Sequence, residues 1–166
     1  MDSMDIAGTI IICTIVICIT ILTALVGLSF FVMAFVPSTF IHELFLNSII
    51  TVESKGNPKA ITKDGSAGIL QIKPIMVKEV NRICRINKID KKFTLKDRFD
   101  VDKSIEMFWI YQNFYNKNSS YEKMARDWNG GPNGHKKEKT KKYWKKVNKV
   151  FAALKTQSNI QPEMEM

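Results

Sequence analysis

Glu53 stands where an apolar run ending Ile49-Ile50-Thr51-Val52 gives way to the turn-rich stretch Ser54-Lys55-Gly56-Asn57-Pro58-Lys59-Ala60. A carboxyl group at the C-terminal end of a helix, with apolar residues before it and a glycine-bearing loop after it, is partly withdrawn from water. Lost hydration disfavours the charged form, so the pKa moves up toward neutrality. Such a group can donate a proton at pH 7.

Two further elements sit in order behind it. Gly68-Ile69-Leu70-Gln71 is followed three residues on by Pro74, and Asp127-Trp128-Asn129-Gly130-Gly131-Pro132 lies near the end of the chain. Each alone is weak, but three in register over one domain length are specific. Together, Glu-Ser before Asn57-Pro58-Lys59-Ala60, the Gly-Ile-Leu-Gln element and the aromatic-Asn-x-Gly-Pro element resemble the soluble lytic transglycosylase (SLT) domain over roughly residues 39 to 155. The resemblance implies a mostly helical, lysozyme-like domain of bacterial or bacteriophage origin. It implies cleavage of the bond between N-acetylmuramic acid and N-acetylglucosamine in peptidoglycan, leaving a 1,6-anhydro sugar. Goose-type lysozymes share the fold but use water, so a hydrolytic muramidase is the nearest competing chemistry. A non-catalytic, membrane-tethered wall-binding protein is the competing class, and Glu53 argues against it because binding alone needs no acid there.

Glycoside cleavage needs a proton on the leaving oxygen while positive charge grows on the ring. Glu53 is the catalytic candidate, and in the transglycosylase route the same group then accepts the proton of the sugar's own 6-hydroxyl, so one carboxyl suffices. Ser54, Gly68, Leu70, Gln71, Tyr111, Trp128 and Asn129 are the substrate-binding candidates, and Asn129 serves equally well as the residue that fixes the turn into Gly130-Gly131-Pro132. Gln71 offers both a donor and an acceptor for an N-acetyl group or the acid itself. Flanking Leu70 and Ile72 pack inward, and Gly68 suits a close approach of sugar to backbone. Ser54 serves either beside the carboxyl or as a helix-end polar group. Tyr111 and Tyr115 are aromatic candidates for which helix core is the simpler role. Trp128 replaces the more usual Tyr and Asp127 a small residue; an Asp127 aimed into the groove would ease a water-using route. Asp64, in Lys63-Asp64-Gly65, is foremost a turn-former. No metal or cofactor is called for, and Cys84 reads as a small packed helix residue.

The 166 residues, with 25 Lys and Arg against 16 Asp and Glu, carry a formal charge of +9. Lys136, Lys137, Lys139, Lys141, Lys142, Lys145, Lys146 and Lys149 supply much of it and read as a solvated helix face that could steer the domain to anionic polymers or lipid headgroups. No nucleic-acid module is legible, so nucleic acid is a disfavoured partner. From Ile6 to Ile41 no residue is charged. That stretch exceeds the roughly 20 residues that cross a bilayer. Residues 1–37 therefore read as a retained membrane anchor, since Asp2 and Asp5 replace the positive start of a signal peptide. Lysines follow the segment and do not precede it, which favours a cytoplasmic domain. The peptidoglycan reading requires the opposite side.

The elements that must position these residues follow from spacing and caps. A helix is expected from Thr39 to Glu53, stopped by Gly56, Asn57 and Pro58, with a small hairpin at most around residues 60 to 72. Pro74 opens a helix packing Ile75, Val77, Val80 and Ile83, and residues 93–101 read as loop. Asp102 or Ser104 begins a helix with Ile105, Met107, Phe108, Tyr111 and Phe114; Ser119-Ser120 with Glu122 caps the next. A final helix from about Thr140 buries Tyr143, Trp144, Val147, Val150, Phe151 and Leu154. The expected organisation is an all-α, lysozyme-like catalytic domain at 38–157 behind the anchor, with a polar tail at 158–166.

Overall fold

In the computed structural model, the structure describes residues 38–160, and the expected membrane anchor at residues 1–37 lies outside the described residues. Among those described, no helix is long and apolar enough to cross a membrane. The chain divides between Ile41 and His42, and the unit from His42 onward carries the features below. Its elements are helices α1 (Ser38–Ser54), α2 (Pro74–Ile86), α3 (Val101–Tyr115), α4 (Tyr121–Gly130) and α5 (Lys139–Ile160), with single 3-10 turns at Lys96–Phe99 and Gly134–Lys136.

Helix α1 turns its apolar face into the core. Phe45, Leu46 and Ile49 are buried on it. The Phe45 ring lies 4.6 Å from Tyr121, 5.8 Å from Phe151 and 6.4 Å from Phe108. One side chain thus touches α3, α4 and α5, and such aromatic pairs add to the stabilisation from buried area. Ser48, buried beside it, donates its hydroxyl to the Phe45 carbonyl at 2.6 Å, which satisfies a polar group inside the core. The helix ends where Lys55 and Gly56 turn left-handed, at φ 56° and 81°.

Residues 60–72 form stacked tight turns. Gly68 N donates to Ala60 O at 2.9 Å, and Ala67 and Ile72 exchange both backbone bonds at 3.2 and 2.8 Å. The pairing stops at isolated bridges, Ile61 with Ala67 and Ala67 with Ile72, so the hairpin allowed for here is not extended into strands. The stretch expected as loop before α3 contains the 3-10 turn that clamps it. Arg98 Nη1 donates to Gly65 O at 2.8 Å and to Ile72 O at 3.0 Å, while Ser104 Oγ holds Arg98 O at 2.9 Å.

The start signals are close to those read from the chain, with shifts of physical origin. Pro74 opens α2, whose buried face is Val77, Val80, Ile83 and Cys84, but Ile75 is 68% exposed and does not join the core. Helix α3 begins at Val101 because Asp100 accepts from Lys103 N and caps it ahead of Asp102. Ser120 caps α4 by accepting from Lys123 N, and Glu122 pairs with Arg126 at 2.8 Å rather than closing a capping box. Helix α5 runs to Ile160, so the tail expected from 158 begins inside a helix.

Gly68 has φ 76°, and a Cβ there would sit 1.7 Å from the Arg98 carbonyl oxygen. The close approach expected of a sugar is made by the protein's own backbone. Gly68→Ala should therefore cost at least about 2 kcal/mol, more than Gly56→Ala at roughly 1 kcal/mol, where the same left-handed backbone meets no neighbour within 4 Å. Denaturant unfolding of both variants checks this, and equal losses would contradict the clamp.

Candidate active site

The C-terminal end of α1 opens into a cleft of about 740 Å³. Glu53 lies in its lining. One wall is built from Thr62, Lys63, Asp64, Ser66, Gln71 and Ile72 of the turn segment and from Lys73, Ile75 and Met76 at the start of α2; the other is Trp128 to Gly131 at the end of α4. The three sequence elements, far apart in the chain, thus line one concavity.

Glu53 is half-buried, and its pKa is raised from 4.5 to about 7. Burial is the main cause and the Asp64 charge adds to it; the Tyr143 hydrogen bond and the Lys73 charge oppose it. Tyr143, on α5, donates its hydroxyl to Glu53 Oε1 at 2.8 Å. Burial, and then the neighbouring carboxylate, push the Tyr143 phenol well above its ordinary value, so it remains a donor throughout the working range. A sequence reading that places Tyr143 on the buried face of the last helix puts it on the correct side but misses this role. Helical periodicity shows which way a side chain faces, not what it meets.

Gln71 lines the cleft with its backbone in the left-handed region at φ 48°, a conformation that costs a non-glycine residue roughly 1–2 kcal/mol. Its own amide holds it there: Nε2 donates to Gly68 O at 2.9 Å and Ala60 O at 3.3 Å. Oε1 lies 3.2 Å from the Thr62 hydroxyl. Asn129 is exposed in the opposite wall and remains helical, so it does not make the turn into Gly131. Trp128 reaches the cleft only by part of its ring. It is 6% exposed and packs edge-on to Phe108 and Tyr111 at 4.9 and 5.7 Å, which leaves no open indole face for a sugar.

Five other candidates lie elsewhere. Leu70 and Tyr111 are fully buried; the first fills the core under the turn, and the second donates its hydroxyl to Asp127 O at 3.2 Å. Neither lines the cleft. Ser54 donates to Ile69 O at 2.8 Å, tying the end of α1 to the turn segment instead of touching the acid. Gly68 is filled by Arg98 as described. Tyr115 is bound into a pair with Glu79 and Arg82, at 2.5 and 2.9 Å.

The two uncertain carboxylates separate. Asp127 is completely buried and turned from the cleft: Oδ1 accepts from His135 N and pairs with His135 Nδ1, both at 2.7 Å, and Oδ2 meets Lys123 at 2.8 Å. Burial alone would raise its pKa, but these partners outweigh it and hold the group below its usual value. It fastens the Gly134–Lys136 turn to α4. Asp64, by contrast, does line the cleft while also shaping its turn, with the Thr62 hydroxyl at 2.5 Å and Ser66 N at 3.3 Å on Oδ1 and Lys73 at 2.8 Å on Oδ2. The lysine and then the hydroxyl hold it far below the ordinary carboxylate range. Among the described residues no group of three or more His, Cys, Asp or Glu could hold a metal ion.

The geometry is therefore that of one protonatable acid and one fixed anion in an open cleft. Comparison with curated proteins gives no match. Among solved structures, the 70 kDa soluble lytic transglycosylase of Escherichia coli aligns with 69% of this chain at 17% identity and a TM-score of 0.59, a likeness of fold. The aligned part is 22% of that enzyme, so the chain spans a minor share of its length. The family model for the transglycosylase SLT domain matches residues 39–151, well over half of the sequence. The chain belongs to the transglycosylase SLT domain family.

Proposed function

We propose that the domain is a peptidoglycan lytic transglycosylase that cleaves the N-acetylmuramic acid–N-acetylglucosamine bond, with Glu53 as acid and then base. The observation that carries the reading is the half-buried Glu53 with its pKa near 7, in the cleft wall and hydrogen-bonded by Tyr143. A general acid–base group works best when its pKa lies near the working pH. Glu53 gives its proton to the glycosidic oxygen, which leaves as the 4-hydroxyl of N-acetylglucosamine. The carboxylate so formed takes the proton of the muramic acid 6-hydroxyl as that oxygen closes on the anomeric carbon. The 1,6-anhydro bond forms, no water is consumed and Glu53 is protonated again. Gln71, Asn129 and the exposed part of Trp128 are the substrate contacts in this reading.

Hydrolysis by an inverting route is the second reading, because Asp64 lines the same cleft and could act on a water. Its weak proton affinity and its occupied oxygens speak against it as a base. Mass spectrometry of digested muropeptides separates the two. Wild-type protein and Asp64→Asn should both give anhydro ends. Glu53→Gln should lower the rate by at least about 10³-fold. Reducing ends from the wild type, or an active Glu53→Gln, would overturn the assignment.

The pH dependence follows from the sign of the shift. The reaction needs protonated Glu53, so kcat/KM should fall as pH rises through about 7. Tyr143→Phe removes a bond that favours the carboxylate, so the alkaline limb should move to higher pH, by roughly half to one unit. Folding stability carries the same sign. Between the ordinary value of 4.5 and about 7 the folded protein holds the proton that the unfolded chain releases, so stability declines over that window. Glu53→Gln should therefore melt above wild type at pH 8, and the two curves should converge below pH 4. An unmoved limb in Tyr143→Phe would refute the role given to the phenol.

This function requires the domain to face the wall, against the lysine bias noted above, with residues 1–37 as the membrane tether. Protease digestion of intact spheroplasts should remove the domain; protection until lysis would place it in the cytoplasm and refute this topology.

A further inference from the structure

The outward face of α5 has no part in the cleft. Between Lys139 and Ile160 the helix carries seven lysines and no Asp or Glu. Lys142, Lys145, Lys146 and Lys149 recur at i, i+3, i+4 and i+7 and are all exposed, with Lys139 and Lys141 continuing the row at its start. The buried side of the same helix is Thr140, Val147 and Phe151, so the cations stand opposite the core. The row is about 15 Å long at 1.5 Å per helical residue. Of its members only Lys141 has a carboxylate partner among the described residues, Glu138 at 2.9 Å.

Like charges at i,i+4 destabilise a helix by about 0.2–0.5 kcal/mol per pair. Lys141–Lys145, Lys142–Lys146 and Lys145–Lys149 are three such pairs. A row that costs the isolated domain stability, with no compensating anion on its own helix, is matched by a polymer carrying negative charge at regular intervals. The chemistry of the row narrows the class. All of its cations are ammonium groups without guanidinium forks, suited to phosphate as point charges. No aromatic residue is interleaved on the outward side: Tyr143 and Trp144 are half-buried, and Tyr143 is spent on Glu53. Bases of a single strand would have nothing to stack on. Among the residues of α5 whose side chains are described, Ala152 and Ala153 are the exposed apolar members, too little for insertion among lipids.

We infer that the lysine row of α5 is a docking surface for a phosphodiester polyanion attached to the cell wall. This rests on the proposed wall substrate and adds to it a second, non-catalytic foothold. The same helix presents Tyr143 to the acid on its inner side and the row on its outer side, so a docked polymer holds the cleft beside the glycan without occupying it.

The test uses the full-length chain and sacculi of a Gram-positive bacterium, native or stripped of phosphodiester polymers with hydrofluoric acid. Apparent affinity by co-sedimentation should fall about tenfold or more on stripped walls, and likewise between 50 and 500 mM salt on native walls. Lys142→Glu/Lys145→Glu/Lys149→Glu should bind native and stripped walls equally, at the level of wild type on stripped walls. Lys142→Gln/Lys145→Gln/Lys149→Gln, which adds no new charge, should lie between. Turnover of short soluble glycan chains should be unchanged in both variants. That separates this claim from the catalytic one, whose failure would appear as absent turnover in every protein. Equal wild-type binding to both walls, unaltered binding by the charge-reversed protein, or row-dependent binding to anionic vesicles or DNA but not to native walls would each overturn the inference.

Discussion

A carboxyl group that is kept from water yet still hydrogen-bonded is the condition on which the rest of this domain depends. Burial alone would push the Glu53 pKa further up and make it a weaker acid; exposure alone would leave it ionised and unable to protonate anything. Tyr143 sets the balance. Its hydroxyl stabilises the carboxylate enough that the two forms interconvert near neutrality, and its own burial keeps it from ionising in competition. The interaction joins residues 90 positions apart, so it exists only if α1 and α5 are packed in one register.

Much of the remaining polar structure serves that register. Arg126 on α4 reaches Thr140 Oγ1 at 3.1 Å and Lys137 O at 3.2 Å, fixing the entry of α5, while Asp127 fixes the turn just before it through His135. Asp127 and Trp128 are neighbours in the chain with opposite duties: the first is sealed behind the wall and the second forms part of it. At the other wall Arg98, Gly68 and Ser54 hold the turn segment against α3 and α1. The strained Gln71 backbone is tolerated because its surroundings on both sides are pinned. Residues that resemble a binding set thus divide into those that can touch a ligand and those that keep the others in place.

The charge distribution has two scales. Inside the cleft, Lys73 and Asp64 neutralise one another at 2.8 Å and each shifts Glu53 in the opposite sense, so the acid is tuned mainly by desolvation. Outside, the lysines of α5, of which only Lys141 has a carboxylate partner among the described residues, supply a field whose range in physiological salt is about 8 Å. Under the proposed readings the first bears on proton transfer and the second on association, and α5 enters the first only through Tyr143.

Sequence alone determined what depends on neighbours in the chain. The apolar period of α1 and its stop at Gly56, the opening of α2 at Pro74, the Ser120 cap of α4, the buried Cys84 and the acid at the end of α1 are all set by local spacing and backbone preference, and the three motifs fixed the family. Tertiary structure decided what depends on residues remote from one another. It assigned Tyr143 to the acid, gave the space beside Gly68 to Arg98 rather than to a ligand, buried Leu70 and Tyr111, and turned Asp127 away from the cleft while leaving Asp64 in it. Periodicity specifies the face of an element on which a side chain lies, because that follows from 1.5 Å and 100° per residue. The group it meets, and so its pKa and its chemistry, follows only when the helices have closed on one another.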